Sequence, residues 1–209
     1  MKLTILGATG EVGQNLVQQA LALGHKVTAF TRSPEKLRTR HDNLKVVTGD
    51  VLDPEAVKES VRGQDAVLCA LGMPLMNKDQ LRSKGTANIV QAMEETGVKR
   101  LVCLSVLGAG DSRTVLPFHY TYLIVPFILR RTIADHNKQE AHIRNSGLDW
   151  VMVRPGNFTD GAKTGSYRHG FTAGDPPASL KISRADVADF MIRQLADNAY
   201  LHQAPSLSY

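Results

Sequence analysis

Residues 2–13 of this chain, Lys-Leu-Thr-Ile-Leu-Gly-Ala-Thr-Gly-Glu-Val-Gly, decide the fold. The apolar run over 2–6 predicts a buried strand, and three glycines follow it at the spacing GxxGxxG. A backbone without side chains at these positions lets a phosphate approach the main-chain N–H groups at the start of a helix. The pattern therefore predicts a dinucleotide-binding turn, and a purely structural tight turn is the alternative.

The segment after the glycines predicts an amphipathic helix. Its apolar residues recur at helical spacing and share one face: Val12, Leu16, Ala20 and Leu23. Gly24 follows at a position where helices commonly end. The turn and the start of this helix are therefore the first predicted cofactor-binding residues: Gly7, Thr9, Gly10, Glu11, Val12 and Gly13.

Length and composition predict one globular domain over 1–209. Of the 209 residues, 43% are hydrophobic and 22% are charged, and these values exclude disordered and fibrous proteins. Cys69 and Cys103 each lie in an apolar run, so we expect buried thiols and a reducing compartment. The first strand starts at residue 2 and no apolar run is long enough to span a bilayer, so we expect a cytoplasmic protein without a signal peptide or a membrane span.

The net charge of +5 restricts the partners. The lysines and arginines are dispersed, and only Arg130 and Arg131 are adjacent, whereas a nucleic-acid binder more often has a basic stripe. We therefore expect no nucleic acid, and the surplus charge fits either a small anionic ligand or an ordinary solvated surface. The histidines and cysteines lack metal-ligand spacing, so we expect no metal. We also expect a monomer rather than an oligomer.

The rest of the chain alternates strands and helices. Further strands are predicted over 26–31, 44–48, 66–71, 100–105 and 148–154. Ser33 and Asp53 each precede a proline and a glutamate, which indicates the start of a helix. Apolar strands that alternate with helices form a parallel sheet covered on both faces. We therefore predict an α/β, Rossmann-type doubly wound fold in a single domain.

The composition shifts toward Gly, Pro, Ser and Thr after Arg154. We predict a loop with one or two short strands over 155–182 and a last helix over 186–196. The segments 106–132 and 155–182 are predicted to lie on the substrate side of the domain.

The end of the second strand indicates which dinucleotide binds. Sites selective for NAD usually place an Asp or Glu there, whereas this chain has Arg32 and Ser33. An arginine fork suits a 2′-phosphate, Ser33 can donate to it, and Lys36 lies one helical turn further. We therefore predict NADP(H). In the alternative, Arg32 and Lys36 are solvated residues at the start of a helix.

Further cofactor contacts are predicted where other strands end, because ligands bind beyond the carboxyl ends of such strands. The predicted residues lie at the ends of the third to sixth strands: Asp50, Val51, Leu71, Gly72, Ser105 and Pro155. Asp50 is placed to accept from an adenine amino group, or it forms a local turn.

With these residues placed, the chain resembles the atypical short-chain dehydrogenase/reductases, in particular the NmrA-like group that contains biliverdin and flavin reductases. The resemblance extends over nearly the whole chain and is most specific at 7–13, 49–51, 63–67, 146–150, 164–167 and 182–186. It implies NADPH contacts at the glycine turn and at Arg32, Asp50, Val51, Leu71, Gly72 and Ser105.

The catalytic Tyr-Lys pair of the wider superfamily is missing from the sequence. No tyrosine has a lysine four residues later, so ordinary alcohol–ketone chemistry is not expected. By its distance from Ser146, His136 occupies the lysine position and Thr132 the tyrosine position. A flavin, a quinone or a linear tetrapyrrole spreads the charge that a hydride brings, so we predict one of these planar acceptors.

Three residues are predicted to act on the nicotinamide or the acceptor. Ser105 orients one of them, Asn157 donates to an acceptor heteroatom, and His136 contacts the ribose or relays a proton. Asn157 stands where the resembling reductases have a histidine. The respective alternatives are a residue that ends a strand, a turn residue and a surface residue.

The apolar segment 115–129 contains two prolines and leads into Arg130 and Arg131. It is interpreted as a helix over the open sheet edge, as an aromatic lid with Phe118, Tyr120 or Tyr122 on the acceptor, or as an interfacial membrane contact. The whole pattern predicts an NADPH-dependent reductase. The alternative is an NADP(H)-binding redox sensor without turnover, because the glycine turn and Arg32 serve both.

Overall fold

The computed structural model describes residues 1–72, 80–175, 177 and 179–209. These residues form ten strands: β1 Lys2–Leu6, β2 Lys26–Thr31, β3 Leu44–Thr48, β4 Ala66–Cys69, β5 Arg100–Leu104, β6 Asp149–Pro155, β7 Asn157–Thr159, β8 Arg168–His169, β9 Lys181–Ser183 and β10 Ser206–Ser208. They also form five α-helices: α1 Glu11–Ala22, α2 Pro54–Val61, α3 Leu81–Thr96, α4 Arg130–Arg144 and α5 Arg184–Arg193. A π-helix over Tyr120–Leu129 leads directly into α4.

Eight strands form one sheet in the order β3-β2-β1-β4-β5-β6-β10-β8. The strands from β3 to β10 are parallel, and β8 pairs antiparallel with β10. The order of the first six reverses direction between β1 and β4, and ligands bind at this switch point in doubly wound sheets. The predicted α/β Rossmann-type fold is confirmed.

Helices cover both faces of the sheet. α1 and α5 pack on one face, whereas α2, α3 and α4 pack on the other. Because both faces are covered, the strands are apolar on both sides. Leu3 and Ile5 of β1 face α1 and α5, and Leu6 faces the layer of α2, α3 and α4.

Several predicted element boundaries differ from the structure. Leu23 is 64% exposed because α1 ends at Ala22, and Leu21 contributes to the core in its place. Only one 3-10 turn, Pro34–Lys36, follows Ser33, whose side chain forms no cap. Asp53 does cap α2, since its Oδ1 accepts from the N–H groups of Glu55 and Ala56.

The C-terminal part contains more strands than predicted. Segment 155–182 contributes to three of them, where one or two were expected: β7 and β9 form a separate two-stranded sheet, and β8 pairs with β10. Strand β10 was not predicted. The last helix begins at Arg184 rather than 186, with Ser183 as its cap.

Candidate functional site

A cavity of about 360 Å³ opens beyond the carboxyl ends of β1, β2, β3 and β4. We refer to it as the switch-point cavity. Most of the predicted cofactor residues line it: Gly7, Thr9, Gly10, Arg32, Ser33, Lys36, Val51, Leu71 and Gly72. The structure therefore brings residues from four separate strand ends to one concave surface.

Two glycines of the first turn are required by close backbone contacts. A Cβ on Gly7 would lie 2.3 Å from the carbonyl oxygen of Ala70, and one on Gly13 would lie 2.1 Å from the carbonyl oxygen of Gly7. Gly7 also has a φ of +80°, which favours glycine. Any side chain at either position would push the turn away from β4 or from α1.

The start of α1 supplies hydrogen-bond donors beside this turn. The first N–H groups of a helix have no partner within the helix, and these belong here to Glu11, Val12 and Gly13. Gly10 at the N-cap has no side chain to satisfy them. These three residues do not line the cavity with side chains, so their predicted role rests on the backbone and on the positive end of the helix dipole.

Cationic and hydroxyl groups lie at the end of β2. Arg32 is exposed, and its Nη1 lies 3.7 Å from Asp50 Oδ2 in a solvated ion pair. The hydroxyls of Thr9 and Thr31 are 3.1 Å apart, and the N–H of Ser33 donates to Thr31 Oγ1. This arrangement leaves Arg32 accessible to an anion in the cavity.

Asp50 itself does not line the cavity. Its Oδ1 accepts from the N–H of Leu52 at 2.9 Å, which is the local turn contact of the alternative interpretation. The other oxygen faces Arg32. Its predicted contact with adenine stays a prediction.

Four residues that line this cavity were not predicted from the sequence: Phe30, Thr31, Gly49 and Leu81. Phe30 and Gly49 meet across adjacent strand ends, where a Cβ on Gly49 would lie 2.6 Å from the ring of Phe30. Their positions directly before Thr31-Arg32 and before Asp50 were the available signal, since neighbouring residues at strand ends share one edge.

Ser105 belongs to a buried hydrogen-bonded ion-pair network. Its Oγ donates to Glu140 Oε1 at 2.7 Å, and Arg154 binds both oxygens of Glu140, with Nε at 2.8 Å and Nη2 at 2.6 Å. Arg154 Nη1 also lies 2.6 Å from Asp111 Oδ1. We call Ser105, Glu140 and Arg154 the buried network, which the exposed Asp111 joins from the surface through Arg154. Ser105 does not line the switch-point cavity, and its proton is directed at Glu140.

Burial and charge oppose each other at Glu140. Burial favours the protonated carboxyl, but the hydrogen bonds and positive charge of Arg154, together with the Ser105 hydroxyl, outweigh it, so the pKa of Glu140 lies below its ordinary value. Both partners of this pair are therefore charged at neutral pH. Arg154 and Asp111 also border a second cavity of about 390 Å³, which Phe171 and Ser206 line as well.

His136 is buried in α4 rather than exposed as in the alternative interpretation. Its Nδ1 lies 2.8 Å from Gln139 Oε1, an acceptor, so Nδ1 carries the proton. Burial, followed by the positive charge of Arg82, lowers its pKa to about 4. The imidazole is therefore neutral at physiological pH.

Asn157 begins β7 at the protein surface. Its Nδ2 donates to the hydroxyl of Tyr120 at 2.8 Å, and its N–H donates to the carbonyl of Leu180 at 2.6 Å. Pro155 is buried, and its carbonyl accepts from Leu107. The structure thus joins the two predicted substrate-side segments through Tyr120 and Asn157, but it places neither Asn157 nor Pro155 on the wall of the switch-point cavity.

Two absences hold for residues 1–72, 80–175, 177 and 179–209. Within those ranges, no helix is both long and apolar enough to cross a bilayer. The same residues contain no group of three or more His, Cys, Asp or Glu side chains placed to hold a metal ion.

Comparison with known proteins adds a family and relatives. The model of a family described as NAD(P)H-binding matches residues 7–198. An uncharacterized chloroplastic protein of Arabidopsis thaliana is 30% identical over 177 residues, covering 79% of this chain and 62% of that protein. This chain spans 62%, 58% and 66% of the length of the first three curated relatives that it matches.

Solved structures share the fold over the whole chain. An anaerobilin reductase from Escherichia coli O157:H7 superposes with a TM-score of 0.80 at 23% identity, covering 100% of this chain and 97% of that one. A short-chain dehydrogenase/reductase from Veillonella parvula in complex with NADP superposes with a TM-score of 0.82 at 18% identity, covering 100% and 94%. At these identities the likeness shows the fold.

Proposed function

The chain belongs to the NAD(P)H-binding family, and on this premise we propose that it is a reductase that uses NADPH to reduce a planar conjugated acceptor. The observation that carries the proposal is the switch-point cavity, in which the glycine turn and the cations Arg32 and Lys36 share one surface. The acceptor classes are a flavin, a quinone or a linear tetrapyrrole.

The switch-point cavity and the start of α1 beside it offer a separate site to each phosphate group of the dinucleotide. The N–H groups at the start of α1 suit the pyrophosphate, since they are unpaired within the helix and Gly10 leaves room for close approach. Arg32, Ser33 and Lys36 suit a 2′-phosphate at the adenosine end. Among the described residues, no heavy atom lies within 4 Å of a Cβ placed on Gly72, so those residues leave room there for the rest of the ligand.

A bound reduced nicotinamide supplies a hydride to the acceptor. The tasks left to the chain are to hold the two rings in contact and to exclude water. We assign the positioning of the acceptor to Asn157 and Tyr120, whose side chains are hydrogen-bonded to each other at the surface where the two substrate-side segments meet. The anaerobilin reductase among the structural neighbours supports a bilin-type acceptor as one of the three classes.

Ser105 and His136 receive more limited roles in this proposal. The Ser105 hydroxyl donates its proton to Glu140 Oε1. Its oxygen therefore accepts a hydrogen bond from the nicotinamide amide, or Ser105 only ends its strand. The neutral, buried His136 holds the ribose side of the site rather than acting as an acid at neutral pH. Protonation of the reduced acceptor then comes from water.

The experiment is a steady-state assay of NADPH oxidation with FMN, biliverdin and a small quinone in turn, and with NADH as the control cofactor. We expect turnover with at least one acceptor and a preference for NADPH. Asn157→Ala should lower kcat with little change in NADPH affinity, whereas Asn43→Ala, at the opposite edge of the sheet, should leave both unchanged. Tight NADPH binding without turnover on all three acceptors would contradict the reductase and favour the redox sensor.

A further inference from the structure

An apolar stripe remains exposed on the π-helix and the turn before it. Its members are Phe118, Tyr122, Leu123, Phe127 and Ile128. Phe127 is 81% exposed and Phe118 is 75% exposed, so neither ring is packed in the core. The helix therefore does not bury this side against the sheet edge, which was one of the interpretations of the sequence.

The spacing of the stripe matches the winding of the helix. A π-helix closes its hydrogen bonds five residues along, so residues four or five apart share a face. The exposed residues follow this spacing, from Phe118 to Tyr122 and Leu123 and then to Phe127 and Ile128. The rings of Phe118 and Tyr122 are 4.5 Å apart between centroids, so the stripe is continuous at its first turn. Val125 lies on the opposite, buried side.

Only positive charge accompanies the stripe in the sequence. Residues 112–134 contain three arginines and no aspartate or glutamate. Arg113 donates from Nη2 to the carbonyl of Thr121 at 3.0 Å, so it lies along the start of the π-helix. Arg130 and Arg131 are exposed at its end. An apolar stripe with cations at both ends complements a surface that is apolar inside and anionic outside.

We propose that this stripe attaches the protein to the surface of an anionic lipid bilayer. The aromatic and aliphatic side chains enter the boundary between headgroups and acyl chains, while the arginines contact the headgroup phosphates. Attachment lies in the plane of the membrane, because the π-helix has only ten residues and no helix in the described part of the chain can span a bilayer. This inference does not rest on the proposed reductase activity.

The test is flotation of the full chain with phosphatidylcholine vesicles that contain or lack phosphatidylglycerol, at low and high salt. We expect binding to the anionic vesicles, and weaker binding at high salt because ions screen the arginines. Each arginine near an anionic surface strengthens attachment roughly five-fold, so Arg130→Gln/Arg131→Gln should weaken it by more than about ten-fold. Phe127→Ser/Ile128→Ser should weaken attachment to both vesicle types.

Matched controls separate the stripe from general surface properties. Leu23→Ser/Val46→Ser removes two exposed apolar side chains elsewhere, and Arg38→Gln/Arg40→Gln removes two charges elsewhere. Both should bind vesicles as the unaltered protein does. Circular dichroism melts verify that each variant is folded.

Three outcomes would overturn the proposal. The first is an unaltered protein that ignores phosphatidylglycerol vesicles. The second is a control variant that loses binding as much as the stripe variants. The third is sedimentation as a dimer that Phe127→Ser/Ile128→Ser converts to a monomer, because the stripe would then be a contact between copies of this chain.

Discussion

The switch-point cavity and the buried network lie in one sheet but use their polar groups in opposite ways. Around the cavity, backbone N–H groups at the start of α1 and the exposed Arg32 are accessible to a ligand. In the buried network, Ser105, Glu140 and Arg154 satisfy one another within 2.8 Å. The donors around the cavity can therefore bind an anion, whereas the charged groups of the buried network are already paired with each other and connect α4 to the ends of β5 and β6.

This difference separates ligand binding from stability. A buried ion pair contributes little relative to apolar packing when intact, but removing one partner leaves an unpaired buried charge. Substitutions in the buried network should therefore lower the free energy of unfolding, and substitutions at the cavity should lower NADPH affinity.

The largest effect is expected for Glu140→Gln. It leaves the buried Arg154 with only the exposed Asp111 as a charged partner, and breaking such a pair costs about 3–5 kcal/mol. Urea unfolding measures this loss. Glu95→Gln, which removes a surface partner of Lys58, is the control and should change stability far less. Equal losses in the two variants would contradict a structural role for the network.

The next effect is a pH dependence from His136. Its pKa is about 4 in the folded chain against 6.5 for an ordinary histidine, so the unfolded chain binds the extra proton between these values. The stabilisation is complete above pH 6.5 and is lost as the pH falls toward 4, and it amounts to about 3 kcal/mol.

Urea unfolding between these pH values measures the effect. His136→Gln should remove most of the pH dependence in this window, and His142→Gln, on the exposed side of the same helix, should retain it. If the slope with pH is the same in His136→Gln as in the unaltered protein, then His136 is not buried in its neutral form.

A smaller effect, on the other side of the comparison, is expected for Gly13→Ala. The new Cβ would lie 2.1 Å from the carbonyl oxygen of Gly7, and forcing atoms into a packed contact costs about 1–3 kcal/mol. Since the strain displaces the glycine turn, NADPH affinity should fall about ten- to hundred-fold. Gly147→Ala is the control, because no heavy atom of the described residues lies within 4 Å of the new Cβ. An unchanged NADPH affinity in Gly13→Ala would contradict binding of the ligand at the glycine turn.

The same comparison explains what the sequence predicts well. The strand, glycine turn and helix over 2–22 are encoded by neighbouring residues, so the fold, the family resemblance and the class of cofactor were predicted correctly. The partners Glu140 and Arg154 lie on different elements and carry no local pattern that links them. Strand β10 is equally hidden, because three residues become a strand only through pairing with β6.

The predicted catalytic residues show where sequence reasoning ends. Ser105, His136 and Asn157 were selected by position after strands and along α4, but position does not reveal which hydrogen bonds they have already formed. Their roles remain predictions, as do the contacts of Asp50 and Pro155. Leu81 was missed at the cavity because it approaches from the start of α3 rather than from a strand end.

The most direct test of the account is calorimetric titration of the unaltered protein, Arg32→Ala and Arg40→Ala with NADPH and with NADH. A charge-assisted hydrogen bond is worth about 1.5–3 kcal/mol, so Arg32→Ala should weaken NADPH binding by about ten-fold or more and leave NADH binding nearly unchanged. Arg40→Ala, which removes an exposed charge outside the cavity, should bind both as before. An equal loss of affinity for NADPH and NADH in Arg32→Ala would contradict a 2′-phosphate site at the switch-point cavity.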